Sequence, residues 1–288
     1  MMAARRLTPG PRALILLVAA ALAACTPSIA DKKDPLAKNV IDDANLSDLL
    51  LTAGSPEEAI TFFEKALQDE PKRADYRRGL AISLARAKRY PESARVYQEL
   101  ITLNQADPND KLEYAVAVAR LQKWDEVRSI LSGIPEGLNS SRRHMVDAML
   151  ADHEQKWEEA DAAYGRAEGL ANNPAGVLNN WGVSKLSRGD FKGAEALFQK
   201  SLTFNSRLFS AKNNLAISRG LQGNFQLPVI PMTETEKAII LNNLGVIALR
   251  QGQEKIARGL FVAAVETHPQ HYEAAASRLA ALEGKVEN

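Results

Sequence analysis

Three asparagine pairs stand out among the polar residues of this 288-residue chain: Asn179 and Asn180, Asn213 and Asn214, Asn242 and Asn243. An amide side chain carries N–H donors and a carbonyl acceptor, which suits it to a peptide backbone of any sequence. Asparagine is a mediocre helix former, so propensity does not explain pairs that recur within helix-forming stretches. Three arginines, Arg86, Arg120 and Arg250, share a second recurring position and match carboxylates in charge and fork geometry. Two readings stay open for each set. The amides form a ladder that grips an extended partner segment, or they bond neighbouring helices and water. The arginines pair with partner carboxylates, or they are solvated surface charges.

Other chemistry-bearing residues point to little. His268 and His271 lie near Glu266 but straddle Pro269, and no closed metal-ligand set is evident around them. The stretch "HEQKW" from His153 lacks the second histidine of a zinc-protease helix. No glycine-rich phosphate loop, nucleophile elbow or buried carboxylate pair can be picked out. The chain is therefore expected to be non-enzymatic, with no catalytic residue, no metal site and no cofactor. Aromatics make up 6% of the residues, and Tyr90, Trp124, Trp157, Phe191 and Phe225 recur at one repeat position, which reads as core packing. A stacking platform for nucleic acid would instead set aromatics among basic residues on an open face. With 36 Lys+Arg against 35 Asp+Glu there is no basic block, so nucleic acid is not an expected partner.

The first 25 residues read as an address. Arg5, Arg6 and Arg12 lead into the apolar run "ALILLVAAALAA", which is too short to span a bilayer as a mature helix. The run ends in "LAAC", whose Cys25 is the only cysteine of the chain. This resembles the lipobox of bacterial lipoproteins, in which the cysteine is acylated and becomes the new N-terminus. The resemblance implies a signal peptide over residues 1–24 and a lipid on Cys25. Thr26, being other than Asp, then implies the outer membrane. Several acyl chains, at about 0.8 kcal/mol per buried methylene, anchor stably where one does not. The polar, proline-bearing residues 25–38 read as a flexible tether.

Behind the tether, over residues 39–288, the sequence repeats. A small or branched residue recurs as Ala59, Ser93, Val127, Ala160, Ala194 and Ala257. A bulky one follows four residues later as Phe63, Tyr97, Leu131, Tyr164, Phe198 and Phe261. The first five anchors step by 34, 34, 33 and 34 residues, and each segment is preceded by another helical one. Small residues let two helices approach, and the aromatic fills the space between neighbouring pairs. The pattern resembles the tetratricopeptide repeat (TPR), which implies an all-α, right-handed superhelical solenoid. Its concave groove would carry the Asn pairs and the arginines.

The repeat breaks once. The step that should anchor a second helix near residue 228 meets Pro228, with Pro231 shortly after, in "GNFQLPVIPMTETE". Proline inside a helix costs about 3 kcal/mol, so residues 226–232 are expected to be extended. "TETE" then offers a capping box that restarts helix at Thr233. The array is thus six repeats, a half-repeat with a proline strap, and a C-terminal capping helix near residues 271–284. The lipobox, the array, "QLPVIPMTETEKA" and "THPQHYEAAASRLAALE" together resemble the TadD group, the TPR lipoproteins of tight-adherence (Tad, or Flp-type) pilus assembly. That resemblance implies a periplasm-facing outer-membrane assembly factor that binds the pilus secretin or other Tad components. The alternative is a lipoprotein adaptor for cell-envelope enzymes such as a peptidoglycan hydrolase or a protease.

Overall fold

The computed structural model describes residues 46–283, residue 136 excepted. Cys25, the residues before it and the tether to residue 38 lie outside the described residues. Every regular element that is described is a helix, and consecutive helices pack in antiparallel-style pairs along the chain. A short α1 covers residues 46–52. It is followed by α2 (Pro56–Asp69), α3 (Ala74–Arg86), α4 (Tyr90–Thr102), α5 (Pro108–Arg120) and α6 (Trp124–Ser132). Then come α7 (Ser141–His153), α8 (Trp157–Leu170), α9 (Ala175–Ser187), α10 (Phe191–Phe204) and α11 (Phe209–Leu221). The last three are α12 (Glu234–Arg250), α13 (Glu254–Thr267) and α14 (Glu273–Glu283). Odd-numbered helices from α3 to α11, together with α12, form one layer; their partners form the other.

The boundaries follow local chemistry. Ser55, Asp107 and Thr233 each accept from the backbone N–H three residues on, while Glu58, Asp110 and Glu236 return the bond to the cap residue. Pro56 and Pro108 open their helices at the position where the missing N–H costs nothing. The turn inside each pair has one signature, a single left-handed residue two positions past the first helix. It is Lys88, Gln122, Gln155, Gly189, Gly223 and Gly252, with φ between 57° and 84°. Glycine adopts this without cost, whereas the three side-chain-bearing residues accept strain that the surrounding packing must offset.

Packing explains the small-and-bulky pattern. Phe63, Tyr97, Tyr164, Phe198 and Phe261 are fully buried, and so are Ala59, Val127, Ala160, Ala194 and Ala257. Where two helices come closest the partner of an aromatic is glycine. A Cβ on Gly182 of α9 would sit 2.5 Å from the Phe198 ring of α10, and one on Gly245 of α12 equally close to Phe261 of α13. Buried serines tie the layers. Ser93 Oγ donates to the Ala81 carbonyl at 2.8 Å, and Ser201 Oγ to that of Ala175 at 2.7 Å.

The half-repeat keeps the rules until proline ends them. α11 is present and Gly223 makes the usual left-handed turn at φ 84°, yet residues 222–233 contain no helix. The chain bridges the gap as a strap. Pro228 is buried; Ile230 packs on Ala194, Phe198 and Leu215; Leu227 packs on Ile240 and Leu244 and, further on, Leu241 and Ala264. With the second helix missing, α12 closes directly on α11, and Leu244 takes the space beside Gly220. The strap therefore places apolar side chains against the core where the second helix is missing. Val229, fully exposed at its crest, points away.

Candidate peptide-binding groove

The first-layer helices carry the recurring polar positions, and the structure divides these into satisfied and unsatisfied sets. Toward the N-terminal end the charges pair internally. Arg78 of α3 clamps the buried Asp110 of α5 with Nε–Oδ1 2.6 Å and Nη2–Oδ2 2.7 Å. Arg142 of α7 likewise pairs with Glu113 of α5. Arg86 is not a groove residue with a free head. Its guanidinium donates to the Leu50 and Gly54 carbonyls at 2.8 and 2.7 Å, tying α3 to the C-terminal end of α1.

Toward the C-terminal end the amides pair with one another from helix to helix. Asn214 Nδ2 donates to Asn179 Oδ1 at 3.1 Å, linking α11 to α9. Asn243 Nδ2 donates to Asn213 Oδ1 at 2.8 Å, linking α12 to α11 across the half-repeat. Asn242 contacts Asn243 at 3.4 Å and accepts from Arg278 of α14 at 3.1 Å. Asn179 and Asn242 are buried. The Asn214–Asn179, Asn243–Asn213 and Arg278–Asn242 bonds run between helices. Arg250 is exposed at the end of α12, away from the open part of the groove.

Asn180 and Arg120 are the exceptions. The one hydrogen bond to Asn180 among the described residues is a 3.6 Å contact of Nδ2 with the Met145 thioether, a weak acceptor. Arg120 is exposed and has no carboxylate partner among the described residues. Both line two adjoining recesses, of about 680 and 380 Å³, whose shared wall is Arg120, Asn180 and the exposed Val183. The larger recess runs between α5, α7, α9 and α11, and Arg120 and Arg142 are the charged residues of its lining, with no Asp or Glu. The smaller is walled by Trp124, Met149, His153 and Tyr164; the Trp124 and His153 rings stack at 4.6 Å.

Asp152 lies on the floor of the smaller recess. Its carboxylate accepts from Tyr164 Oη at 2.9 Å and Ser184 Oγ at 2.6 Å. Burial pushes its carboxyl above the ordinary carboxylate range, against these two bonds, which favour the charged form. Burial also raises the Tyr164 hydroxyl, helped by the neighbouring Asp152 charge. A second acid, Asp161, is engaged by Arg188, Lys185 and Trp181. Among the described residues no three His, Cys, Asp or Glu side chains converge as a metal site.

Paired helices, a left-handed residue at each turn and glycine against aromatic at the crossing make one repeating unit. A protein-family model described as tetratricopeptide repeat matches residues 45–111. The fold is a tetratricopeptide-repeat solenoid. Solved structures bear this out. A chain of the APC/C heterotetramer Cut9–Hcn1 superposes with a TM-score of 0.54 at 14% identity, over 82% of this chain and 48% of that one. This chain thus spans about half the length of that relative. A tetratricopeptide repeat protein from Parabacteroides merdae superposes with a TM-score of 0.50 at 14% identity, over 83% of this chain and 96% of that one. No curated protein matches the sequence significantly. At such identities the likeness shows the fold alone.

In this TPR frame the opening aromatics do more than the sequence reading allowed. Tyr90, Trp124, Trp157 and Phe191 each open the second helix of a pair, as the spacing predicts. Yet Tyr90 lines the larger recess and Trp124 the smaller, so two of the set face the groove as well as the packing between helices. Trp181 stacks on Tyr164 at 6.1 Å and donates to Asp161 at 2.6 Å. The proline strap lies at the far side of α11 from the open recesses, with Pro228 buried and Pro231 exposed. Asp152 was not singled out from the sequence. Its only signal there is position, facing the residues that open α9's groove side one repeat later.

Proposed function

We propose that this chain, a TPR protein-interaction scaffold, binds a protein partner as TPR proteins do. In this proposal it is an outer-membrane lipoprotein, held by lipid on Cys25, that serves as an assembly factor for a Tad-type pilus. On this reading the array faces the periplasm and captures a segment of the pilus secretin, or of another Tad component, while the lipid fixes location and raises effective concentration. The lipobox at Cys25 and the "QLPVIPMTETEKA" strap support the family reading. One observation carries the binding reading. Arg120 and Asn180 hold unsatisfied donors on the shared wall of two open recesses, whereas the neighbouring groove amides are already paired.

Two assays on the native envelope test this. Replacing Cys25 with Ser should release the protein from the outer-membrane fraction and remove the acyl mass from its mature N-terminus. Unchanged fractionation would contradict the anchor. Cross-linking and purification from the same envelope should recover the secretin with the native chain and lose it with Arg120→Ala. Recovery of a peptidoglycan hydrolase or a protease in its place would favour the adaptor reading.

A further inference from the structure

We infer that the two adjoining recesses read a short motif in an extended partner segment, an acidic residue followed two positions later by an aromatic or bulky apolar one. The inference rests on the groove reading above and adds what the groove recognises. In an extended chain, residues i and i+2 point to the same side and lie about 6.6 Å apart. Two side chains at that spacing enter two recesses that share a wall, and Arg120, Asn180 and Val183 are that wall.

Charge decides which side chain goes where. The larger recess presents Arg120 without a carboxylate partner among the described residues, and none of its lining residues is an acid. A guanidinium in a partly enclosed site binds a carboxylate through two parallel hydrogen bonds. The smaller recess has the opposite character. Its floor is Asp152, already holding two hydroxyl donors, so a second carboxylate there would meet a like charge that the larger recess lacks. Its walls are the stacked Trp124 and His153 rings, Met149 and Val183, surfaces that favour an aromatic or large apolar group. Between the two, Asn180 keeps its carbonyl and one N–H available for the partner's main chain. That places a sequence-blind contact midway between two sequence-reading ones.

Peptide binding to the full mature chain tests this, read by fluorescence anisotropy. The probes are ten-residue Gly/Ser peptides carrying Glu-Gly-Trp, with Gln-Gly-Trp, Lys-Gly-Trp and Glu-Gly-Ser as comparisons. Glu-Gly-Trp should bind at least tenfold more tightly than each of the other three. Arg120→Gln should abolish the preference for Glu over Gln and keep the preference for Trp over Ser. Val183→Ser should do the reverse. Arg120 and Val183 are exposed, so both variants should keep the wild-type circular dichroism spectrum. Equal binding of the Glu and Gln peptides would overturn the motif, and so would tighter binding of the Lys peptide or no binding of any peptide. If the motif fails while Arg120→Ala still loses the partner from the envelope, the groove reading survives without it. If Arg120→Ala retains the partner, the groove reading itself falls.

Discussion

The centre and the C-terminal end of the groove use the same side chain for different purposes. At the C-terminal end Asn213, Asn214, Asn242 and Asn243 bond Asn179, Arg278 and one another, so these amides hold first-layer helices in register. At the centre Asn180 makes only a weak contact with a thioether, beside an unpaired Arg120. The local geometry is alike, since each residue sits mid-helix on the same face. What differs is what stands on the next helix. Across α9 and α11 an asparagine meets an asparagine; across α7 and α9, Asn180 meets Met145. Recurrence of a polar residue thus marks a face, and the neighbour one repeat away decides whether that face is glue or a binding site.

The contrast can be broken or sharpened by substitution. The largest effect should come from Phe198→Ala, because Phe198 is fully buried against Gly182 on the helix that carries both Asn179 and Asn180. A loss of about 3–5 kcal/mol is expected. Urea unfolding should show it, and both regions should lose order together by hydrogen exchange. Protection lost at the centre alone would mean the two ends are not coupled through α9. Next in size is Asn242→Ala, which leaves the Arg278 guanidinium without its amide partner and should cost about 1–3 kcal/mol. The capping helix α14 should then fray first. Unchanged protection of α14 would show that the ladder does not extend into the cap.

A smaller effect distinguishes the centre by pH. The Asp152 carboxyl lies above its ordinary value of 3.8 in the folded chain. Between 3.8 and that raised value the folded state holds the proton more tightly than the unfolded state. The group's contribution to stability is thus present at low pH and lost as pH rises through this window. Asp152→Asn should remove that slope, so the variant gains relative to wild type as pH rises. A difference between the two that stays constant with pH would contradict the burial argument. The smallest change in stability is expected for Asn180→Ala, within about 0.5 kcal/mol, since it breaks only the thioether contact.

The fold was legible in the sequence because its signals are local or strictly periodic. Small and bulky residues at 33–34-residue steps, the capping box at Thr233 and two prolines each act within a turn or at a fixed spacing. Even the break was readable, because Pro228 falls where the repeat demands the middle of a helix. The site was legible only as a face. Asn214 reaches Asn179, 35 residues back, and Asn243 reaches Asn213, 30 residues back, so neither pairing follows the 34-residue step of the repeat. Arg86 recurs with Arg120, yet its partners are main-chain carbonyls of α1, which no side-chain pattern announces. The roles of Trp124 and Asp152 depend on an enclosure made by helices of three consecutive repeats.

The most direct test compares two single substitutions, Asn180→Ala and Asn214→Ala, for both partner capture and unfolding free energy. Asn214→Ala leaves the buried Asn179 carbonyl without its donor, which should cost about 1–3 kcal/mol while capture persists. Asn180→Ala should do the opposite, losing capture at nearly unchanged stability. If Asn214→Ala abolishes capture in a chain that remains folded while Asn180→Ala captures normally, the binding surface lies along the ladder and the account of the groove centre is wrong.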